Sequence, residues 1–124
     1  MDITRYTDKR LITKITATEK FAAIEELAQV FRDTDVCDDV EALVTALKER
    51  EEIMSTGIGF KIAVPHARIR EVKRIAFALG TSARGIAFDS IDEKPVQLMV
   101  LVAAGEMQHT EYLRLLSRIM NLLK

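Results

Sequence analysis

The chain has 124 residues, enough for one domain that buries about two-thirds of its unfolded surface. With 48% hydrophobic residues, 30% charged residues and a net charge of −1, it reads as a soluble globular protein and not as a binder of nucleic acid or anionic membranes by bulk electrostatics. The single cysteine, Cys37, permits no internal disulfide, and no apolar run nears the roughly 18 residues that span a bilayer, so the expected compartment is the cytoplasm.

Residues 1–8 are polar and carry little periodicity. Leu11–Ile15 alternates apolar and polar residues and predicts a short strand. Thr16-Ala17-Thr18-Glu19 fits a capping box, with Thr18 as a competing cap, for a helix whose stripe is Phe21, Ile24, Leu27, Ala28 and Phe31. Asp38 opens a second helix with buried positions Val40, Leu43, Val44 and Leu47, running to about Arg50 or Glu52.

Ile62–Val64 predicts a short buried strand. Further on, Ile75–Leu79 predicts another, Gly80–Gly85 a turn, Ile86–Phe88 an edge strand and Asp89–Lys94 a second turn. Val96–Val102 is the most apolar run and suits a central strand. After a loop at Gly105–Gln108, a last helix begins near His109 or Thr110 with Leu113, Leu116, Ile119, Met120 and Leu123 on one face, widened by Leu115 and Leu122. This order predicts a layered α/β fold: a mixed β-sheet with flanking helices, in a single domain over residues 1–124.

Ser55-Thr56-Gly57-Ile58-Gly59-Phe60-Lys61-Ile62-Ala63-Val64-Pro65-His66-Ala67-Arg68 is the stretch richest in chemistry. Its glycines allow a sharp bend, and Pro65 holds Val64 extended, so the strand stops with His66 aimed outward. Neutral imidazole is nucleophilic near pH 7, and phosphoryl transfer asks mainly for positioning and charge stabilisation. The Ser55 and Thr56 hydroxyls, the Gly57 turn and the Arg50 guanidinium are suitable donors. Arg50 has a plainer reading as a cation at a helix C-terminus.

The two histidines and one cysteine fall at no metal-ligand spacing, and no nucleotide-binding loop is present, so neither metal nor cofactor is expected. Cys37 has no local base pattern that would make it a nucleophile.

Ser55-Thr56-Gly57-Ile58-Gly59 with Ala63-Val64-Pro65-His66 resembles the signature of the fructose/mannitol-type (type 2) enzyme IIA domains of the bacterial sugar phosphotransferase system, which the nitrogen-regulatory IIA proteins share. Arg50-Glu51, Gly85-Ile86-Ala87-Phe88, Lys94-Pro95-Val96 and Tyr112-Leu113-Arg114-Leu115-Leu116 extend the likeness over nearly the whole chain. The resemblance implies a mannitol-type IIA fold and phosphorylation of His66 by an HPr-type phosphocarrier protein, with Arg50 supporting the site. It further implies onward transfer to a IIB component or a reading of the phosphorylation state by a regulatory target.

In many members a second histidine lies near the first. Here Tyr112 takes its place in a gapless match, and His109, one helical turn upstream, is the alternative; His109 also reads plainly as a solvated helix start. Lys61 stands where the family usually has a small residue, and the chain ends at Lys124, short of the family's usual length. A sugar-transport carrier, a nitrogen-type regulator and a degenerate protein-binding module all stay open. The expected docking rim comprises the signature loop with Phe60, the Ala67–Arg70 segment and His109–Tyr112, unless Phe60 packs back onto the last helix.

Overall fold

The computed structural model describes Met1–Leu123. Along the chain, strand β1 (Ile12–Lys14) is followed by helices α1 (Lys20–Ala28) and α2 (Val40–Ile53). Three short strands come next, β2 (Gly57–Gly59), β3 (Ile62–Ala63) and β4 (His66–Arg68). Two long ones, β5 (Ala76–Ile86) and β6 (Val96–Ala104), lead to helix α3 (His109–Leu123).

The strands form one mixed sheet in the order β1-β5-β6-β3-β2. Strands β5 and β6 are antiparallel, from Ala76↔Ala103 to Thr81↔Leu98. On the other side of β6, β3 and β4 lie parallel to it, one after the other, with Ile62 opposite Leu98 and His66 opposite Val102. The apolar run thus forms the centre of the sheet, as its composition predicts. Its alternation divides the core. Met99, Leu101 and Ala103 pack with α1 and α2, whereas Val100, Val102 and Ala104 pack with Tyr112, Leu115, Leu116 and Ile119 of α3. Each large apolar side chain buried this way contributes about 1.5–3 kcal/mol. The result is the expected layered α/β arrangement.

Several expected boundaries move, each for a local reason. Helix α1 is capped by Glu19, whose carboxylate accepts from Phe21 N and Ala22 N, and not by Thr16 or Thr18. Thr16 is bonded to Glu26, and Thr18 O still accepts from Ala87 N, so the chain stays extended until Glu19. Asp39, not Asp38, caps α2, because Asp38 N is engaged by Glu71 O.

The turn expected at Gly80–Gly85 is part of β5. Gly80 is there for packing: a Cβ would sit 2.3 Å from Ile15 Cδ1. Gly85, at φ +92, marks the irregularity after which the ladder resumes at Ile86↔Val96. The buried stripe of α3 is Tyr112, Leu115, Leu116 and Ile119, and Leu113 faces solvent. The expectation of a shortened C-terminus concerns Lys124, outside the described residues.

Candidate functional site

Pro65 separates β3 from β4 and leaves its own carbonyl to accept from Val102 N, so the parallel pairing with β6 resumes at His66. His66 therefore begins a strand and does not end one. Strand alternation places the His66 and Arg68 side chains on one face, and Ala67 on the other, in the α1–α2 core. The imidazole is half-buried, and its Nδ1 lies 2.8 Å from Val64 O. A carbonyl oxygen only accepts, so Nδ1 carries the proton and the neutral ring presents its lone pair at Nε2.

Burial pushes the His66 pKa below 6.5, opposed by the bond to Val64 O. The Arg50 guanidinium lowers it further and the Glu51 carboxylate raises it, which places both groups within electrostatic range of the ring. Arg50 lies in the last turn of α2, where its Nη1 donates to Met54 O at 3.1 Å.

Tyr112 is the aromatic neighbour of His66, with ring centroids 6.1 Å apart. Burial raises its hydroxyl pKa to about 12, although Arg50 and Arg68 pull it down. The group stays protonated at neutral pH, and its hydroxyl makes no hydrogen bond among the described residues. His109 is exposed at the first position of α3, and the ring beside His66 is that of Tyr112.

The donors expected to receive a phosphoryl group are engaged elsewhere. Ser55 Oγ donates to Phe88 O at 2.7 Å and accepts from Gly57 N at 3.2 Å. Thr56 N and Oγ1 donate to the two carboxylate oxygens of Glu51 at 2.6 and 2.7 Å. These groups hold the loop. Thr56 O in turn accepts from Val64 N at 3.0 Å.

Two charged residues outside the expected set complete the region. Glu51 is 2% exposed, and the Nζ of Lys20, itself buried, stands 3.7 Å from Glu51 Oε2 and above the Phe88 ring. Arg68 Nη1 donates to Glu106 O, tying β4 to the loop before α3.

Phe60 does not pack on α3. It is 68% exposed at the tip of the β2–β3 hairpin, beyond Ile62 from the histidine. Ile62 and His66 are already four β6 residues apart, roughly 13 Å at 3.3 Å per residue, so Phe60 stands away from the His66 rim. Lys61 has φ +63 and Phe60 φ +57, a pair of left-handed residues of the kind that favours glycine or another small residue. Among the described residues no cluster of metal-ligating side chains occurs, and no helix is long and apolar enough to cross a membrane.

A mixed sheet in which the strand beside the central one presents a tautomer-fixed histidine, with Arg68 on the same face and Arg50 within electrostatic range, fits the type 2 enzyme IIA domains. The chain belongs to that family: residues 5–124 match the phosphoenolpyruvate-dependent sugar phosphotransferase system EIIA 2 family. It is 41% identical over 102 residues to the fructose-specific EIIA component of Haloferax volcanii, which covers 80% of this chain and 66% of that one. It is 36% identical to part of the fructose-specific EIIABC component of Bacillus subtilis, covering 99% of this chain and 20% of that protein. The chain thus spans about two-thirds of the first relative's length and a fifth of the second's. Among solved structures, the nitrogen regulatory protein IIA-Ntr of Neisseria meningitidis superposes with a TM-score of 0.83 at 26% identity, over 94% of this chain and 80% of that one.

Proposed function

We propose that this chain is a cytoplasmic phosphocarrier of the phosphotransferase system, and that His66 accepts a phosphoryl group from an HPr-type phosphocarrier protein and passes it to a IIB component. The observation that carries this reading is the bond from His66 Nδ1 to Val64 O, which leaves Nε2 as the nucleophile. In the first transfer the Nε2 lone pair forms a bond to phosphorus as the donor's N–P bond breaks and its electron pair returns to the donor. The positive charge that develops on the His66 ring is shared with Val64 O through Nδ1–H. No proton needs to leave the ring before the next acceptor arrives.

Arg50, Arg68 and the Tyr112 hydroxyl are the groups we assign to the phosphoryl oxygens, since phosphoryl transfer is helped chiefly by fixed positive charge and oriented donors. Ser55, Thr56 and Gly57 serve by fixing the loop. His109 takes no part in this reading. The likeness to fructose-specific EIIA components favours a fructose-type sugar as the final acceptor. The likeness to a nitrogen regulatory protein supports a second reading, in which the phosphorylation state of His66 is the output.

The test is incubation with enzyme I, an HPr-type carrier and labelled phosphoenolpyruvate. An acid-labile label that vanishes in His66→Ala is expected, and its transfer to a IIB component separates the carrier from the regulator. A wild-type chain that takes no label would be a degenerate binding module.

A further inference from the structure

A continuous line of contacts runs from the first residue of α1 to the imidazole. Lys20 Nζ pairs with Glu51 Oε2 at 3.7 Å. The Glu51 carboxylate accepts from Thr56 N and Thr56 Oγ1. Thr56 O accepts from Val64 N, and Val64 O accepts from His66 Nδ1. Each link fixes the acceptor or donor of the next, and the last selects the tautomer.

The placement of Lys20 is opposed by local physics. A cation in the first turn of a helix faces the positive end of the dipole, and a lysine is rarely buried without a partner. The charge pairing by itself does not explain this placement, since buried ion pairs seldom outdo a hydrophobic substitute, but Glu51 also holds Thr56 N and Oγ1, which an apolar residue could not. Lys20 nonetheless lies at 8% exposure, between the Phe21 and Phe88 rings. Its other acidic neighbour, Asp89 at 3.5 Å, has an 89% exposed side chain, so solvent screens that contact and Glu51 is the partner that matters.

We propose that Lys20 is a positioning residue for phosphoryl transfer: by pairing with Glu51 it holds Thr56, hence Val64, hence His66 in the Nδ1–H tautomer. This rests on the reading of His66 as the acceptor, but the tautomer is observable without any transfer.

The experiment is ¹⁵N NMR of the imidazole in the full chain, with phosphoryl uptake from a labelled HPr-type carrier alongside. Lys20→Met should give a mixture of ring tautomers and at least a tenfold slower uptake. Lys20→Arg should restore both towards wild type, and Asp89→Asn should leave both unchanged. Should Lys20→Met not fold, Lys20→Gln, which removes the cation and keeps a polar group against Glu51, should show the same mixed tautomers. If the folded variant keeps a pure Nδ1–H ring, with or without lower stability, Lys20 is only a structural residue and the proposal is overturned. If wild type takes no label, the phosphocarrier reading fails, and the NMR signature still decides the role of Lys20.

Discussion

The His66 and Tyr112 rings stand 6.1 Å apart, centroid to centroid, with their planes inclined by 55°. Tyr112 thereby sets an aromatic ring against the imidazole, and brings a hydroxyl that remains protonated because burial raises its pKa to about 12. Tyr112→Phe keeps the ring and removes the donor. A neutral hydrogen bond is worth about 0.5–1.5 kcal/mol, so phosphoryl uptake should slow roughly threefold to tenfold with little change in stability. Tyr112→Ala should instead cost about 3–5 kcal/mol, because the ring belongs to the α3 stripe. Uptake kinetics and denaturant unfolding of the two variants separate the roles.

Arg50 is tested in the same assay. Its recorded bond, to Met54 O, is exposed and contributes little to the fold. A hydrogen bond to a charged group is worth about 1.5–3 kcal/mol, so Arg50→Ala should slow transfer by roughly one to two orders of magnitude while unfolding shifts by under about 1 kcal/mol. Equal transfer rates would reduce Arg50 to a helix-end charge.

The pH dependence follows from the depressed His66 pKa. Burial disfavours the charged ring in the folded state, so the unfolded chain binds this proton more tightly. The associated stability is present above the unfolded value of about 6.5 and is lost as pH falls through the folded value. Uptake should be flat between pH 7 and 8 and decline only below about 6.5, where the nucleophile becomes protonated. His66→Gln should flatten the stability profile in that acidic window. An NMR titration placing the ring above 6.5 would contradict the burial argument.

The sequence carries most of this architecture where one physical pattern dominates. Val96–Val102 suited a central strand, and the glycines, Pro65 and His66 marked the candidate site. Less was legible where two residues compete for one task. Glu19 took the cap from Thr16 and Thr18 because those threonines were claimed by Glu26 and Ala87. Glu51 and Lys20 were missed although each falls on its helix's apolar stripe, Glu51 four residues after Leu47 and Lys20 four before Ile24. A charge at a core position of a helix is the signal that would have found them. The commitment of the Ser55 and Thr56 hydroxyls depends on Phe88 and on the Glu51 carboxylate's orientation, and spacing contains neither.

Lys61 gives a prediction about stability alone. Its φ of +63 follows Phe60 at φ +57 in the two-residue turn between β2 and β3. A non-glycine residue in the left-handed region costs about 1–2 kcal/mol. Lys61→Gly should therefore stabilise the protein by about 1 kcal/mol, less whatever flexibility glycine adds to the unfolded chain. Transfer should be unaffected, because this turn lies at the far end of β3 from His66. Thermal unfolding checks the first statement and uptake the second.

Gly57 separates loop packing from phosphoryl binding. Its N–H donates to Ser55 Oγ, and a Cβ built on it would meet Ser90 Oγ at 2.3 Å and Ser90 Cα at 2.9 Å. Ser90 is buried, and although its Oγ has no hydrogen bond to lose, its backbone at 2.9 Å does not yield easily to a methyl group. Gly57→Ala should lose about 1–3 kcal/mol by overpacking. The clash is mainly with the Ser90 side chain, so Gly57→Ala combined with Ser90→Gly should recover part of that loss; the approach to Ser90 Cα remains. The test is denaturant unfolding of the single and double variants, with uptake measured under conditions where both are folded. Recovery of stability together with near wild-type uptake would make Gly57 a packing residue whose absent side chain lets the 89–94 loop close over the signature turn. Full stability in Gly57→Ala with uptake abolished would return Gly57 to the phosphoryl group itself.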